Sequence, residues 1–263
     1  MRVICIGAHP DDCEIEFGGT AAKLAARGDA VKFVSVTNGE AGHHLYPGPK
    51  LVAIRQCEAQ EAARRLGIAA TEVLQNPDGQ LVPSIAARLD VVRQIRAWKA
   101  DVVITHRPWD YHPDHRSTGQ LVQDSAYLVM VPYVCPDTPA LRRNPAFFYL
   151  EDVFQTPVPF AADIAVSIDD VWERKLDALD AHRSQVYEWL PWVERLEVPD
   201  DAAERRKWLD CTWSRKPGDC TRAALAKRYG EEAAAQVRHA EAFQISEYGR
   251  KPLAQELDEM FPR

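Results

Sequence analysis

Four short strand-forming runs, Val3–Ile6, Ala30–Thr37, Glu72–Leu74 and Val102–Thr105, are separated by segments whose apolar residues recur at helical spacing. That alternation constrains the chain most, because strand and helix taking turns closes into a mostly parallel sheet with helices on its faces. Val3–Ile6 is apolar at every position, as expected of a strand buried on both sides. Helical periodicity covers Ala21–Arg27, Leu51–Leu66, Ile85–Trp98 and His115 to about Val131. Gly18-Gly19-Thr20 reads as a lead into the first of these, and Gly28 and Gly67 as helix stops.

Past residue 131 the pattern loosens. Pro132, Pro136, Pro139 and Pro145 break up a loop, and Ala146–Leu150 and Asp163–Ile168 then read as late strands building an edge of the sheet. Asp170–His182 and Arg222–Gln236 have helical spacing, whereas Trp189–Lys216 has no decisive pattern. The expected fold is α/β, a Rossmann-like, mostly parallel sheet flanked by helices. It forms one domain over residues 1–263, with a core of about 1–185 and a C-terminal elaboration of about 186–263.

Composition narrows the function. An apolar fraction of 46% with 27% charged residues is that of an ordinary folded enzyme. The formal charge of −7 and the scattered basic residues argue against a nucleic-acid partner. Six cysteines without a CxxC pair suit a reducing cytoplasm, and Cys211 with Cys220 is the one disulfide pair to test. No run approaches the roughly 18 apolar residues of a membrane span, and a strand rather than a leader pattern opens the sequence, so a soluble, cytoplasmic protein is expected.

The chemistry concentrates in two polar knots. Gly7-Ala-His-Pro-Asp-Asp-Cys-Glu14 follows the first strand, and His106-Arg-Pro-Trp-Asp-Tyr-His-Pro-Asp-His115 follows the fourth. In an open α/β sheet ligands bind at the strands' carboxyl ends, so two such knots suggest one site. Pro10 fixes its own φ and biases His9 toward extended backbone, which lets His9 and Asp12 converge. With His115 they make two imidazoles and one carboxylate, the ligand set of a catalytic zinc with room for water. Asp11, beside a ligand but poorly placed to share the metal with Asp12, remains free as a general base toward metal-bound water. His112 is the candidate oxyanion partner, with Asp114 behind it to favour its cationic form and Asp110 a weaker candidate for the oxyanion task.

At these residues the sequence resembles the PIG-L/LmbE-like zinc deacetylases, which remove the acetyl group from N-acetylglucosamine-type sugars. Ala8–Asp12 matches that family's Ala-His-Pro-Asp-Asp signature, His112–His115 its His-Pro-Asp-His signature, and Thr37–Gly42 its Thr-x-Gly-Glu-x-Gly turn. Arg55 with Glu58, Ala181–Gln185 and Ala240–Phe243 extend the likeness over nearly the whole chain. The resemblance implies one zinc per chain at His9, Asp12 and His115, other divalent metals being possible, with Asp11 as base and acid. It also implies His112 with Asp114 at the oxyanion, a sugar contact at Arg55, an acetamido sugar or glycoside as substrate, and a possible trimer or hexamer. The departures, Tyr127–Arg143 and Trp189–Trp213, fall where family members differ in substrate.

Two other function classes compete. Asp110-x-His112-x-Asp114-His115 is one substitution from the His-x-His-x-Asp-His pattern of binuclear metallohydrolases of phosphoesters or lactones, a reading that leaves the first knot unexplained. A non-catalytic nucleotide-binding protein would need a glycine fingerprint, and no GxGxxG occurs; nor does the GxSxG of a serine hydrolase.

Overall fold

The computed structural model describes all 263 residues, Met1–Arg263. Its first strand, β1 (Arg2–Gly7), pairs in parallel with β2 (Ala30–Thr37) on one side and β4 (Val102–Thr105) on the other. β3 (Ala70–Asn76) extends the sheet beyond β2, and β5 (Ala146–Leu150) extends it beyond β4, again in parallel. β6 (Ile164–Ser167) is the far edge, and β7 (Ala240–Gly249) threads between β5 and β6, antiparallel to both. The order is β3-β2-β1-β4-β5-β7-β6.

Because successive side chains of a strand point to opposite faces, the wholly apolar β1 feeds two cores. Val3 and Cys5 join Phe17, Phe33 and Leu66 on the face covered by α1 (Asp12–Arg27), α2 (Gly48–Leu66) and, further along the chain, α5 (Trp172–Ala181). Ile4 and Ile6 join Val91, Ile95 and Leu121 on the face covered by α3 (Ile85–Trp98) and α4 (Pro113–Leu128). The remaining helices, α6 (Leu190–Glu194), α7 (Ala202–Thr212), α8 (Asp219–Tyr229), α9 (Glu231–Gln236) and α10 (Ala254–Met260), belong to the C-terminal region. No helix is long and apolar enough to cross a membrane.

Several sequence expectations are corrected here. α1 begins at Asp12, inside the first knot, rather than at Ala21. Gly18 and Gly19 are helical, and tertiary packing needs the second of them small: a Cβ on Gly19 would lie 2.7 Å from Ile168. The backbone N–H groups of Gly19 and Thr20 also donate to the buried carboxylate of Glu241 on β7, which pairs with Lys175 at 2.5 Å. The helix expected over 222–236 is two, α8 and α9, broken at Gly230 with φ 86°. Of the two late strands only β6 is an edge strand, since β7 covers the outer side of β5. All six cysteines are free, Cys211 and Cys220 included.

The loop Tyr127–Arg143 supplies none of the residues that line the main cavity, where His9 and His115 lie. It packs under α3 and α4, where the buried guanidinium of Arg96 donates to the carbonyls of Leu128, Val129, Val131, Val134, Cys135 and Thr138. Each buried carbonyl left without a donor costs about 1–3 kcal/mol. Arg96→Met is therefore expected to destabilise the fold by about 3 kcal/mol or more, read as a lowered urea midpoint at unchanged m-value; a midpoint equal to the parent's would show that water replaces the guanidinium without cost.

Candidate metal centre and active site

The carboxyl ends of β1 and β4 lie side by side, and Thr105 Oγ1 donates to the carbonyl of Ile6 across them. After β1 the chain turns tightly, with the N–H groups of Asp11 and Asp12 both reaching the carbonyl of His9. Asp11 takes φ 152° and ψ −26°, a strained conformation for a residue with a Cβ. Asp12 Oδ2 accepts from the backbone N–H groups of Ala8 and His9, each at 2.8 Å, which fixes that carboxylate. After β4, His112 caps α4: its Nδ1 accepts from the N–H of Asp114 at 3.2 Å, and Pro113 occupies the first helical turn. Gly119 lets α4 approach the other side of this loop, since a Cβ there would lie 2.7 Å from the carbonyl of His106.

These two turns bring the expected ligands together. His9 Nδ1 and His115 Nε2 are 3.2 Å apart, His115 Nε2 is 3.3 Å from Asp12 Oδ1, and His9 Nδ1 is 3.5 Å from Asp12 Oδ2. Donors about 2.0–2.1 Å from one tetrahedral metal ion would stand roughly 3.4 Å from each other. Two imidazole nitrogens and a carboxylate that meets one of them through Oδ1 and the other through Oδ2, on three buried residues, fit a divalent cation with one face left open. Three other groupings of possible ligands share these residues: His9, His112 and His115; Asp12, His106 and His115; and His9, Asp78 and Asp114.

Around the three donors stands a second layer that the motifs showed only in part. His115 Nδ1 faces Asp110 Oδ1 at 3.1 Å, and His9 Nε2 faces Asp78 Oδ1 at 3.2 Å and Asp114 Oδ2 at 3.4 Å. His106 stacks on His115 with ring centroids 4.1 Å apart and puts Nε2 3.1 Å from Asp12 Oδ2. Such outer partners fix ring orientation and tautomer. Asp114 thus stands behind His9, not behind His112; its carboxylate also accepts from the N–H groups of Gly79 and Leu81 and is fully buried. Burial and the neighbouring His9 and His115 hold His112 below its ordinary pKa, so it is a neutral imidazole rather than the cation expected from the sequence. With Nδ1 accepting, its proton sits on Nε2, still a donor.

His106 and Asp78 belong to no signature. Each lies within two residues of the carboxyl end of a parallel strand, β4 and β3, and that position is the signal that could have found them.

Arg55 is buried on α2 and donates through Nη2 to Asp11 Oδ1 at 3.1 Å and to the carbonyl of Pro10 at 3.0 Å. Its Nη1 reaches the carbonyl of Gly39, its Nε has no partner, and it lines the cavity. Burial pushes Asp11 up to about 6 against the pull of Arg55. Burial also opposes the charge on Asp12, yet His115 and His106 hold it well below the carboxylate range. The same Asp12, with Asp110, raises His115 to about 10 against its burial, so a metal must displace a proton there.

His9, Asp11, Asp12, Arg55, His112 and His115 all line one cavity of about 640 Å³. Its outer wall comes from Leu150–Phe154 after β5 and from the tryptophan-bearing segment, through Trp189 and Trp213. Trp192, which does not line the cavity, stacks with Trp189 and with His44, and Trp208 packs against the core.

Comparison with known proteins bears on this arrangement. The PIG-L family, described as GlcNAc-PI de-N-acetylase, matches residues 4–126. The diacetylchitobiose deacetylase of Thermococcus kodakarensis is 31% identical over 207 residues, which cover 75% of this chain and 76% of that one. This chain belongs to the PIG-L family. A probable N-acetyl-alpha-D-glucosaminyl L-malate deacetylase of Bacillus cereus is 27% identical, covering 79% of this chain and 94% of that one. The solved N,N'-diacetylchitobiose deacetylase of Pyrococcus horikoshii superposes with a TM-score of 0.69 at 30% identity, over 93% of this chain and 83% of that one. This PIG-L protein is an α/β enzyme that carries both knots within the matched segment, at residues 7–14 and 106–115.

Proposed function

We propose that this enzyme hydrolyses the N-acetyl group of an N-acetylglucosamine-type sugar or glycoside, using one zinc ion held by His9, Asp12 and His115. The observation that carries the reading is the convergence of His9 Nδ1, His115 Nε2 and the two carboxylate oxygens of Asp12 at 3.2–3.5 Å, with the carboxylate of Asp11 on the same cavity wall and not spent on those donors. Relatives named as deacetylases of acetamido sugars supply the substrate class. A divalent cation at the three donors would supply Lewis acidity, polarising a carbonyl and acidifying water. Asp11 takes up the proton of the attacking water and returns it to the departing amine, and Arg55 aims its carboxylate. The Nε2–H of His112 donates to the oxygen that gains charge. Acetate and a free amino sugar leave, and residues 1–263 act as one catalytic unit in the cytoplasm, as a trimer or hexamer.

Release of primary amine from a panel of N-acetylated mono- and disaccharides, with a metal-stripped control, tests this. Metal-dependent release with about one tight zinc per chain supports it; two tight metals per chain with phosphoester or lactone turnover would support the binuclear alternative, which the relatives do not favour.

The pH profile gives a separate check. The base must be ionised, so kcat/KM falls as Asp11 takes up its proton; bound cation pulls that carboxyl down, which puts the acid limb at or below about 6. Arg55 lowers the same group, so Arg55→Met is expected to move the acid limb upward. A limb that stays where it was would detach it from Asp11.

A further inference from the structure

Arg107 immediately follows His106 at the end of β4, is 2% exposed and lines the cavity. One amino group, Nη2, donates to the carbonyl of Val158. Its Nε and Nη1 have no hydrogen-bond partner. Across from it stands Asp152, beyond β5, also lining the cavity, with its carboxylate 9% exposed. Asp152 Oδ1 accepts from the N–H of Phe154, while Oδ2 is without a partner although Arg107 Nε is 3.1 Å away, so the two approach without the alignment of a hydrogen bond. Buried donors and acceptors in a folded protein are paired almost without exception, so an unpaired guanidinium edge beside an unpaired carboxylate oxygen on a cavity wall points to a ligand.

The charges say what kind. Guanidinium and carboxylate cancel, which removes the attraction for a phosphate or carboxylate group that a lone arginine would have. What remains is a donor next to an acceptor, the complement of a group that accepts and donates at once, and that group is a hydroxyl. We propose that Arg107 and Asp152 form a recognition site for a hydroxyl of the substrate, Nη1–H donating to its oxygen and Asp152 Oδ2 accepting its proton. The proposal rests on the sugar reading above and adds to it a specificity pair away from the metal donors and from Asp11. No bond to the substrate is made or broken there.

The test compares kcat/KM for N-acetylglucosamine with that for its 3-, 4- and 6-deoxy analogues, in the parent enzyme and in Arg107→Met and Asp152→Asn. A site built to hydrogen-bond a hydroxyl rejects an analogue lacking it, here by at least about tenfold for one of the three. In both variants that preference is expected to collapse to about twofold, mainly through KM for the complete sugar, with metal content unchanged. A parent enzyme that treats all three analogues like the complete sugar overturns the proposal even if neither variant folds. So does a folded variant that keeps the parent's preference. Absence of turnover of any acetamido sugar by the parent would instead sink the deacetylase reading itself.

Discussion

Asp11→Asn is expected to retain its metal and to lose about 10²- to 10⁴-fold in kcat, the usual worth of general-base help. The substitution keeps the side chain's size and leaves the three donor atoms of His9, Asp12 and His115 untouched. It removes the one lone-pair site able to take a proton from water, while Arg55 still finds an oxygen at 3.1 Å if the amide presents it. Burial at 5% exposure gives bulk water little access as a substitute base. Metal analysis and steady-state kinetics on the same preparation separate the effects: full metal with lost turnover supports the assignment. Full metal with near-normal turnover would falsify it.

His115→Ala should act at the other level. Two of the three donor distances run through His115 Nε2, so its loss leaves His9 and Asp12, too few protein ligands to hold a catalytic zinc. Metal content is expected to fall from about one per chain to near zero after dialysis against a mild chelator, and turnover with it. Asp110→Asn, which disturbs only the carboxylate 3.1 Å behind the ring, should weaken metal affinity by about 10- to 100-fold and leave the loaded enzyme active. Undiminished metal in His115→Ala would move the site to His9, Asp78 and Asp114, the neighbouring grouping that does not use His115.

The parallel half of the fold was legible because its information is local. β2, β4 and α3 run as their residue patterns predict, since each pattern is the pattern of what the element buries. Of the antiparallel part, β6 was legible as Asp163–Ile168 and β7 was not. β7 carries Glu241, Gln244, Ser246 and Glu247 among its apolar residues, and the partners that explain Glu241 are Lys175 and the N–H groups of Gly19 and Thr20, more than sixty residues away or farther. Gly18-Gly19 misled for the same reason: a pair that breaks helices locally lies inside α1, and Gly19 leaves the room that Ile168 occupies.

In the site, the convergence of His9, Asp12 and His115 with Asp11 beside them could be read from spacing within each knot. Which carboxylate stands behind which imidazole could not. Asp114 is two residues from His112 in the chain, but the helix turns its side chain toward His9 and the Gly79 loop. A motif records which groups are present near a strand end; the helix geometry that follows decides where each one points.

The place of β7 also has a consequence for how the chain is made. β6 finds its sole strand partner in β7, with Ile164 opposite Phe243 and Ser167 opposite Ala240. A ribosome that has released residues 1–200 has therefore delivered both knots and every parallel strand, yet the outer side of β5 and the whole of β6 still wait as open ladders. For the time taken to add the last stretch, at about 5–20 residues per second, the nascent protein exposes a sticky edge that only its own tail can close.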